Sequence, residues 1–395
     1  MARIIRIERI IVRRLGLAQL IFLCAFCNFS YAETTEPTLG LVNKAIGVAA
    51  ELLQSDNYYD RILGAGTLCD IGNQTGLEVL EEFATGADIV YQRSAIDTLI
   101  GVQHPNGIDL IYRLASKSPV FTQFLTQSLA TNPRDDMSEF LLGVLQESRP
   151  DVQQHAMQAL VHMNDATTAI RIVNEVVESP DTQDTTKAYG YYFLARRGYG
   201  KEVEERLLNL AASGDLNQRE VVAVSLAYLE STAATEALET LQKSKDERVS
   251  LAALSSHAAR GDKKSIDGLI DVIARGKSLH AEVGASALRR LPPELAHRLS
   301  VELFALNIRP NPGARLLESW RSIDWDASEV YSWGLAHDNV DVKMQTIWLV
   351  GQRQERDMLD TLATYLDDDN PRIRGMAAWA IVHIAPEGFI PGTKV

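Results

Sequence analysis

Residues 358–384 read MLDTLATYLDDDNPRIRGMAAWAIVHI, and this stretch decides the fold. From Met358 to Leu366 the apolar residues recur at the spacing of one helical face. The polar run DDDNP at 367–371 interrupts this helix, because Asn before proline supplies a cap and the proline fits the first turn of a new helix. A second apolar stripe, at helical spacing, follows from Ile373 to Ile384. The stretch therefore predicts a helical hairpin with a polar turn.

The same pattern returns along the chain with a period of about 31 residues. Eight aspartates mark it: Asp56, Asp88, Asp151, Asp181, Asp215, Asp246, Asp338 and Asp369. The gaps between them are 32, 63, 30, 34, 31, 92 and 31 residues, which are multiples of one period. Other residue types that cap helices, Ser118, Ser278 and Asn311, occupy the missing places. This spacing predicts an all-α solenoid of about eleven helical hairpins and no strands.

Small residues recur in the middle of the second helix of the hairpins. They are Gly64, Ala65, Ala95, Ala156, Gly190, Ala223, Ala252, Ala285, Ala377 and Ala378. Small side chains let two helices approach closely, so we expect these helices to form the inner layer of the solenoid.

A cation follows four of the aspartates after five residues. The pairs are Asp56 with Arg61, Asp88 with Arg93, Asp338 with Lys343, and Asp369 with Arg374. With its paired alanines, the segment from Asp369 to Ile381 resembles the short HEAT-like repeats often called phycobilin-lyase-type repeats. The resemblance implies a right-handed superhelix in which the aspartate and the arginine bridge neighbouring units. It is strongest in the last two units and poorest over 110–145 and 290–325, and it indicates the fold rather than the function.

The chain divides into six predicted segments. They are a signal peptide (1–32), a linker (33–39), HEAT-like repeats (40–290), an irregular proline-rich repeat (291–326), C-terminal HEAT-like repeats (327–385) and a tail (386–395). The irregular segment contains Pro292, Pro293, Pro310 and Pro312. It is interpreted as a hinge, as a loop at a binding surface or as a degenerate repeat.

The N-terminus has the three parts of a secretory signal. Five arginines precede an apolar run from Leu15 to Phe26, and Ser30-Tyr31-Ala32 places small residues before a cut at Ala32/Glu33. The apolar run is shorter than the roughly 20 residues of a membrane-spanning helix. Cleavage is therefore favoured over a retained anchor or acylation at Cys24 or Cys27. We expect an exported bacterial protein, periplasmic or secreted, with no membrane insertion after cleavage.

Charge and cysteine content limit the partners. The first 32 residues carry five basic groups and one acid, so their removal changes the net charge from −13 to −17. An acidic protein without a basic stripe repels phosphate backbones and anionic lipids, so nucleic acid is not expected as a partner. Cys69 is the only cysteine beyond the predicted cut, and its apolar surroundings predict a buried thiol.

The sequence predicts no catalytic, metal or cofactor site. The eight histidines are scattered, and His155 and His162, seven residues apart, lie too far from each other to hold one zinc ion. The chain has no His-Glu dipeptide of the kind that di-iron HEAT-like hydroxylases carry, and no phosphate-binding glycine loop. We therefore expect a non-enzymatic protein without a cofactor.

Aromatic residues give the one candidate binding region. All five tryptophans, Trp320, Trp325, Trp333, Trp348 and Trp379, lie in the last fifth of the chain. Trp320, Trp325 and Trp333, with Tyr331, are predicted to bind a partner, because aromatic side chains anchor interfaces. The alternative is that they close the open end of the solenoid. A second aromatic group, Tyr189 to Phe193 with Tyr199, has the same two interpretations.

These observations favour a periplasmic scaffold, accessory protein or chaperone that presents an extended surface to a protein partner. The alternative is a lyase-like or cofactor-handling repeat protein that acts on an exported protein. The sequence leaves the identity of the partner and the oligomeric state open.

Overall fold

The structure is a computed structural model that describes residues 36–147, 149–163 and 169–385. These ranges contain 22 α-helices and no strands, which confirms the predicted all-α solenoid. The predicted signal peptide and tail lie outside the described residues. No helix in the described ranges is long and apolar enough to cross a membrane.

The helices form eleven hairpins, each with an odd-numbered first helix and an even-numbered second helix. The first helices are α1 (Glu36–Leu53), α3 (Gln74–Thr85), α5 (Pro105–Lys117), α7 (Ser138–Glu147), α9 (Ala169–Glu178), α11 (Gly200–Ser213), α13 (Thr232–Gln242), α15 (Lys263–Arg275), α17 (Pro293–Ala305), α19 (Ser328–Ala336) and α21 (Leu359–Tyr365). The second helices are α2 (Tyr58–Cys69), α4 (Ile89–Gly101), α6 (Pro119–Thr131), α8 (Pro150–Val161), α10 (Asp184–Arg196), α12 (Leu216–Ser225), α14 (Glu247–Ala259), α16 (Ser278–Ser286), α18 (Pro310–Ser319), α20 (Val340–Gln352) and α22 (Pro371–Ile384). Short 3₁₀ turns occur at Asp135–Met137, Leu226–Tyr228, Ala287–Arg290, Trp320–Ser322 and Arg356–Met358.

The periodic polar residues cap helices in four repeats, and the next residue does so in three others, whereas the predicted caps Asp151, Asp181, Ser278 and Asn311 do not cap their helices. Asp88, Ser118, Asp215 and Asp246 accept backbone N–H groups at the starts of their helices. In three repeats the following asparagine, Asn57, Asn339 or Asn370, is the cap instead of the aspartate. Asp and Asn both offer a suitable oxygen, so the residue next to the first helical turn takes this role.

Two predicted boundaries differ from the structure. Helix α1 begins at Glu36, inside the segment predicted as a linker (33–39). The irregular segment 291–326 contains a complete hairpin, α17 and α18, whose connecting turn includes Asn307 at a φ of 51°. Proline lies in the first turn of both helices, where its missing N–H is not needed, so the prolines do not break the repeat.

The second helices form a closed inner ring. Each one contacts the next along the chain, and the last, α22, contacts α2, the first. Helix α1 packs against both α2 and α22. We call this junction between the first and last repeats the seam. The small residues predicted for these helices are buried in the structure. The interpretation of the tryptophans as a cover for an open end is therefore wrong, because the described chain has no open end.

Polar contacts also join the first and last repeats at the seam. Lys44 Nζ lies 2.6 Å from Asp367 Oδ2, and Arg374 Nη2 lies 3.2 Å from Glu51 Oε1. Both pairs are solvent-accessible, so we expect each to contribute less than about 1 kcal/mol. The seam is held mainly by apolar packing of Leu52 and its neighbours against α22.

A buried network lies beneath this packing. Asp70 Oδ1 accepts the backbone N–H of Gln103 at 2.7 Å, and Asp70 Oδ2 lies 3.2 Å from His383 Nδ1. The other ring nitrogen of His383 lies 2.7 Å from Gln103 Nε2. All contacts are satisfied when Nδ1–H donates to Asp70 and Nε2 accepts from Gln103. Three repeats, the first, second and last, thus share one set of hydrogen bonds.

Candidate functional site

Two of the four aromatic residues predicted to bind a partner are buried, and a third, Trp333, is half-buried. Trp320 is fully buried and donates its indole N–H to Ser300 Oγ at 2.9 Å. Tyr331 is buried and donates to Glu355; burial, and then this hydrogen bond, raise the pKa of the Tyr331 hydroxyl. Trp333 stacks on Phe304 with ring centroids 4.1 Å apart. The sequence pattern did not separate these residues from surface ones because their cover comes from neighbouring repeats.

Trp325 is the fourth predicted residue, and it reaches the surface with 41 % of its side chain exposed. Its carbonyl accepts from Arg353 Nη2 at 2.8 Å, and its ring lies 6.0 Å from that of His297. The backbone at Trp325 is therefore fixed while the ring is free to contact a partner. In the second aromatic group, Tyr191 to Phe193 are buried and Tyr199 is exposed.

The predicted aspartate–cation pairs are not ion pairs in the described residues. Asp88 Oδ1 accepts the N–H groups of Val90 and Tyr91, whereas Arg93 donates to Gln127 of the next repeat. Arg374 donates to the carbonyls of Asp368 and Asp369 and to Glu51. Arg61 lies over the ring of Phe83, with no contact to Asp56. Of the four cations, Arg93 and Arg374 therefore bridge to groups other than the predicted aspartates.

Other arginines link consecutive inner helices by capping their C-terminal ends. Arg134 Nη1 donates to the carbonyls of Ile100 and Val102 at 2.8 and 2.5 Å. Arg197 donates to the Met163 carbonyl at 2.6 Å, and Arg353 donates to the Ile323 carbonyl at 2.6 Å. In each case the arginine and the carbonyl belong to successive repeats. A cation at the negative end of a helix stabilises the helix and satisfies its last carbonyls. The C-terminal face of the ring, where the inner helices end, therefore collects arginine.

A hydrogen bond crosses the centre of this C-terminal face. Arg321 Nη2, in the ninth repeat, donates to the Pro133 carbonyl, in the third repeat, at 3.0 Å. On one side of this bridge lies a cavity of about 370 Å³. Its lining mixes both charges and amides: Ile100, Gly101, Gln103, Asn132, Arg134, Asp135, Asp136, Arg321, Gln352 and His383. This mixture does not single out one class of ligand.

The C-terminal face also contains four arginines around His162, which we call the arginine cluster. Arg196 and Arg197 end helix α10, and Arg289 and Arg290 follow α16. Burial, and then the charges of Arg289, Arg196, Arg290 and Arg197, hold the pKa of His162 well below its usual range. The imidazole is therefore neutral at pH 7. Tyr192 and Tyr228 complete the surroundings, with ring centroids 5.9 Å apart.

The N-terminal face, where the inner helices begin, carries an exposed apolar surface. Tyr58 and Tyr59 begin α2, Ile89 and Val90 begin α4, and Val120 lies in the first turn of α6; between 44 and 55 % of each residue is exposed. The rings of Tyr58 and Tyr59 lie 4.7 and 5.6 Å from that of Tyr91. We call these five exposed residues the tyrosine patch. It spans three adjacent repeats.

The sequence contains a signal for both the tyrosine patch and the arginine cluster. The first two positions of the inner helices are mainly apolar in the first three repeats, whereas the later repeats are mostly polar there, with Leu216, Leu279 and Val340 as exceptions. The twin arginines at 196–197 and 289–290 lie 93 residues apart, which is three periods. Comparing equivalent positions across repeats finds both features, and net charge or aromatic density alone does not.

The described residues offer no group of side chains suited to metal or redox chemistry. No cluster of three or more His, Cys, Asp or Glu side chains suited to a metal ion occurs in the ranges that the structure describes. Cys69 is buried, and burial raises the pKa of its thiol, so the thiolate is disfavoured.

One comparison with known proteins supports the repeat assignment in the last part of the chain. A family model of HEAT repeats matches residues 329–391, and no curated protein matches the chain. Among solved structures, an engineered protein is 16 % identical with a TM-score of 0.32 over 86 % of this chain and 98 % of its own. Kap121p bound to Pho4p is 14 % identical with a TM-score of 0.32, over 87 % of this chain and 46 % of Kap121p. A structure concerning tubulin recruitment by microtubule polymerases with TOG domain arrays is 10 % identical with a TM-score of 0.27, over 85 % of this chain and 93 % of its own.

Because these TM-scores are low, no property of those proteins is assigned to this chain. The last repeats match the HEAT family model, and the helical hairpin recurs eleven times in the described residues, so the chain is an all-α repeat solenoid whose C-terminal units are similar to HEAT repeats.

Proposed function

We propose that this protein is an exported, non-catalytic scaffold that binds a protein partner through the tyrosine patch. The observation that carries the proposal is the exposure of five large apolar residues from three adjacent repeats on one face. Single exposed apolar residues are common, but a contiguous group across three helices is characteristic of an interaction site. Tyrosine is also among the residues enriched in binding hot spots.

The surroundings of the patch indicate the kind of partner. The exposed carboxylates of Asp56 and Asp88 border it, and the chain as a whole has a net charge of −13. A partner surface with apolar side chains flanked by Lys or Arg is complementary to this arrangement. Trp325 follows the end of α18 and therefore lies on the C-terminal face, so it is a second and separate candidate contact.

A binding experiment with matched variants tests the patch. The natural partner is first recovered from the native host by cross-linking to the wild-type protein, and its affinity is then measured. We expect Tyr59→Ala to weaken binding at least about tenfold, because a buried aromatic anchor contributes 2 kcal/mol or more. Its melting temperature should change little, since almost half of the ring is exposed.

Leu279→Ala is the control, because Leu279 is 65 % exposed at the start of α16 but lies outside the patch. It should bind normally. Trp325→Ala distinguishes the two faces: loss of binding in Trp325→Ala with normal binding in Tyr59→Ala would move the interface to the C-terminal face. Equal losses in Tyr59→Ala and Leu279→Ala would count against a specific patch.

Export is the second part of the proposal and rests on the three-part N-terminus. Protein isolated from the native host is expected to begin at Glu33, as measured by N-terminal sequencing or intact mass. A chain that still begins at Met1 would contradict export by cleavage. Acylation at Cys24 or Cys27 would contradict the predicted cut and attach the protein to a membrane. The lyase-like alternative gains no support, since Cys69 is buried.

A further inference from the structure

We propose that the arginine cluster binds a small oxyanion with several negative charges, of the phosphate or pyrophosphate type. The four arginines have no ion-pair partner among the described residues. The Nη1 atom of Arg197 and the Nε atom of Arg289 are also buried without any hydrogen-bond partner. Buried guanidinium donors without partners are costly, so their presence indicates a group that is missing from the protein alone.

Existing contacts hold the guanidinium groups in position and leave other donors free. Arg196 Nη1 donates to the Val161 carbonyl at 2.5 Å, and Arg197 Nη2 donates to the Met163 carbonyl at 2.6 Å. Arg290 Nη2 donates to Ser255 Oγ at 3.0 Å. One side of each of these three guanidinium groups is thus anchored to the ring, whereas Arg289 has no such contact among the described residues. Donors that are already oriented lose little conformational entropy on binding, which favours affinity.

Electrostatics supports the same conclusion. Burial and the neighbouring Arg196 lower the pKa of Arg197 to about 10, and burial and the neighbouring Arg290 lower the pKa of Arg289. The carboxylate of Glu318 acts on Arg289 less than Arg290 does. The arginines therefore repel one another in the free protein, and an anion among them relieves this repulsion.

The helix dipoles act in the opposite direction but are weaker. Inner helices end at this face, and each end carries about half a negative charge. The arginines already donate to several of those carbonyls, and four full positive charges outweigh the dipoles.

The number of charges selects the class of ligand. A single carboxylate would neutralise one of four guanidinium groups and leave three unpaired. A phosphate or pyrophosphate carries two or more charges and several oxygens that match the bidentate geometry of arginine. The phenols of Tyr192 and Tyr228 and the neutral His162 add hydrogen-bonding groups without adding charge. The site therefore fits a compact polyanion such as pyrophosphate.

Thermal unfolding and calorimetry with inorganic pyrophosphate test this site. Pyrophosphate at millimolar concentration and constant ionic strength is expected to raise the melting temperature of the wild-type protein by about 3 °C or more. Arg289→Gln should reduce this shift to less than a third. Without pyrophosphate, the same variant should melt at or above the wild-type temperature, since Arg289 forms no hydrogen bond or ion pair among the described residues. If the role of Arg289 were purely structural, Arg289→Gln would melt below the wild type and would keep the pyrophosphate shift.

Arg275→Gln is the matched control, because it removes the same charge from the exposed outer helix α15. Its pyrophosphate shift should equal that of the wild type. The proposal is overturned if Arg289→Gln keeps the full shift, if Arg275→Gln loses it equally, or if no shift occurs in the wild type. Should Arg289→Gln fail to fold, Arg196→Gln, at a more exposed position, gives the same comparison. A stronger shift with citrate than with pyrophosphate would overturn the phosphate assignment.

Discussion

Gly375→Glu is expected to open the ring and to reduce the free energy of unfolding by at least about 4 kcal/mol. Gly375 lies in α22 against the first hairpin, and a Cβ atom at this position would lie 2.5 Å from Leu52 Cδ1 and 2.7 Å from Leu63 Cδ2. A carboxylate placed between two leucines is buried without a partner, and an uncompensated buried charge costs several kcal/mol. Denaturant unfolding gives the stability, and small-angle scattering gives the radius of gyration, which should increase as the seam separates.

Gly47→Glu is the control for this substitution. Gly47 lies on the exposed side of α1, and no atom lies within 4 Å of the position that its Cβ would occupy. This variant should keep the wild-type stability and radius of gyration, because Glu favours helix more than Gly does. An unchanged radius and stability in Gly375→Glu would show that the seam does not hold the ring closed.

Asp70→Ala is expected to have the second largest effect, a loss of about 3 to 5 kcal/mol. Asp70 and His383 are both buried, and Asp70 accepts from the Gln103 backbone as well as from His383. Removal of the carboxylate leaves the part-buried backbone N–H of Gln103 and the Nδ1–H of the buried His383 without their partner, and each unsatisfied group is costly. Denaturant unfolding measures the loss.

Two further variants separate this network from a general effect of losing aspartate. Asp70→Asn keeps an oxygen for the Gln103 backbone, and a change of His383 tautomer restores the contact with residue 70 when the Gln103 side-chain amide turns its oxygen toward Nε2, so we expect a loss of about 1 to 2 kcal/mol. Asp88→Ala removes an exposed helix cap and should cost about 1 kcal/mol. A loss in Asp70→Ala no larger than that in Asp88→Ala would contradict a role for the network in closing the ring.

The local structure was largely predictable from the sequence. The 31-residue spacing predicted the eleven hairpins, and Asn370-Pro371 predicted the start of α22, because caps and apolar periodicity act within one hairpin. The prediction that Cys69 is buried is also confirmed. The one-residue shifts between aspartate and asparagine caps show the limit of this local information.

Ring closure was not predictable in the same way. It depends on a small rotation between successive repeats, added over eleven units, and no single residue encodes that sum. Trp320 illustrates the consequence for the candidate site: its apolar surroundings come from other repeats, so its sequence context did not reveal that it is buried. The arginine cluster likewise combines residues about 130 positions apart, such as His162 and Arg290.

The packing of α1 against α22 also determines how the protein can begin to unfold. In an open array the first or last unit has one neighbour, so fraying starts there by breaking a single interface. Every unit of this ring has two neighbours, and releasing any one of them requires both of its interfaces to break together. The usual starting points for fraying are therefore missing, and a higher kinetic barrier protects the whole ring.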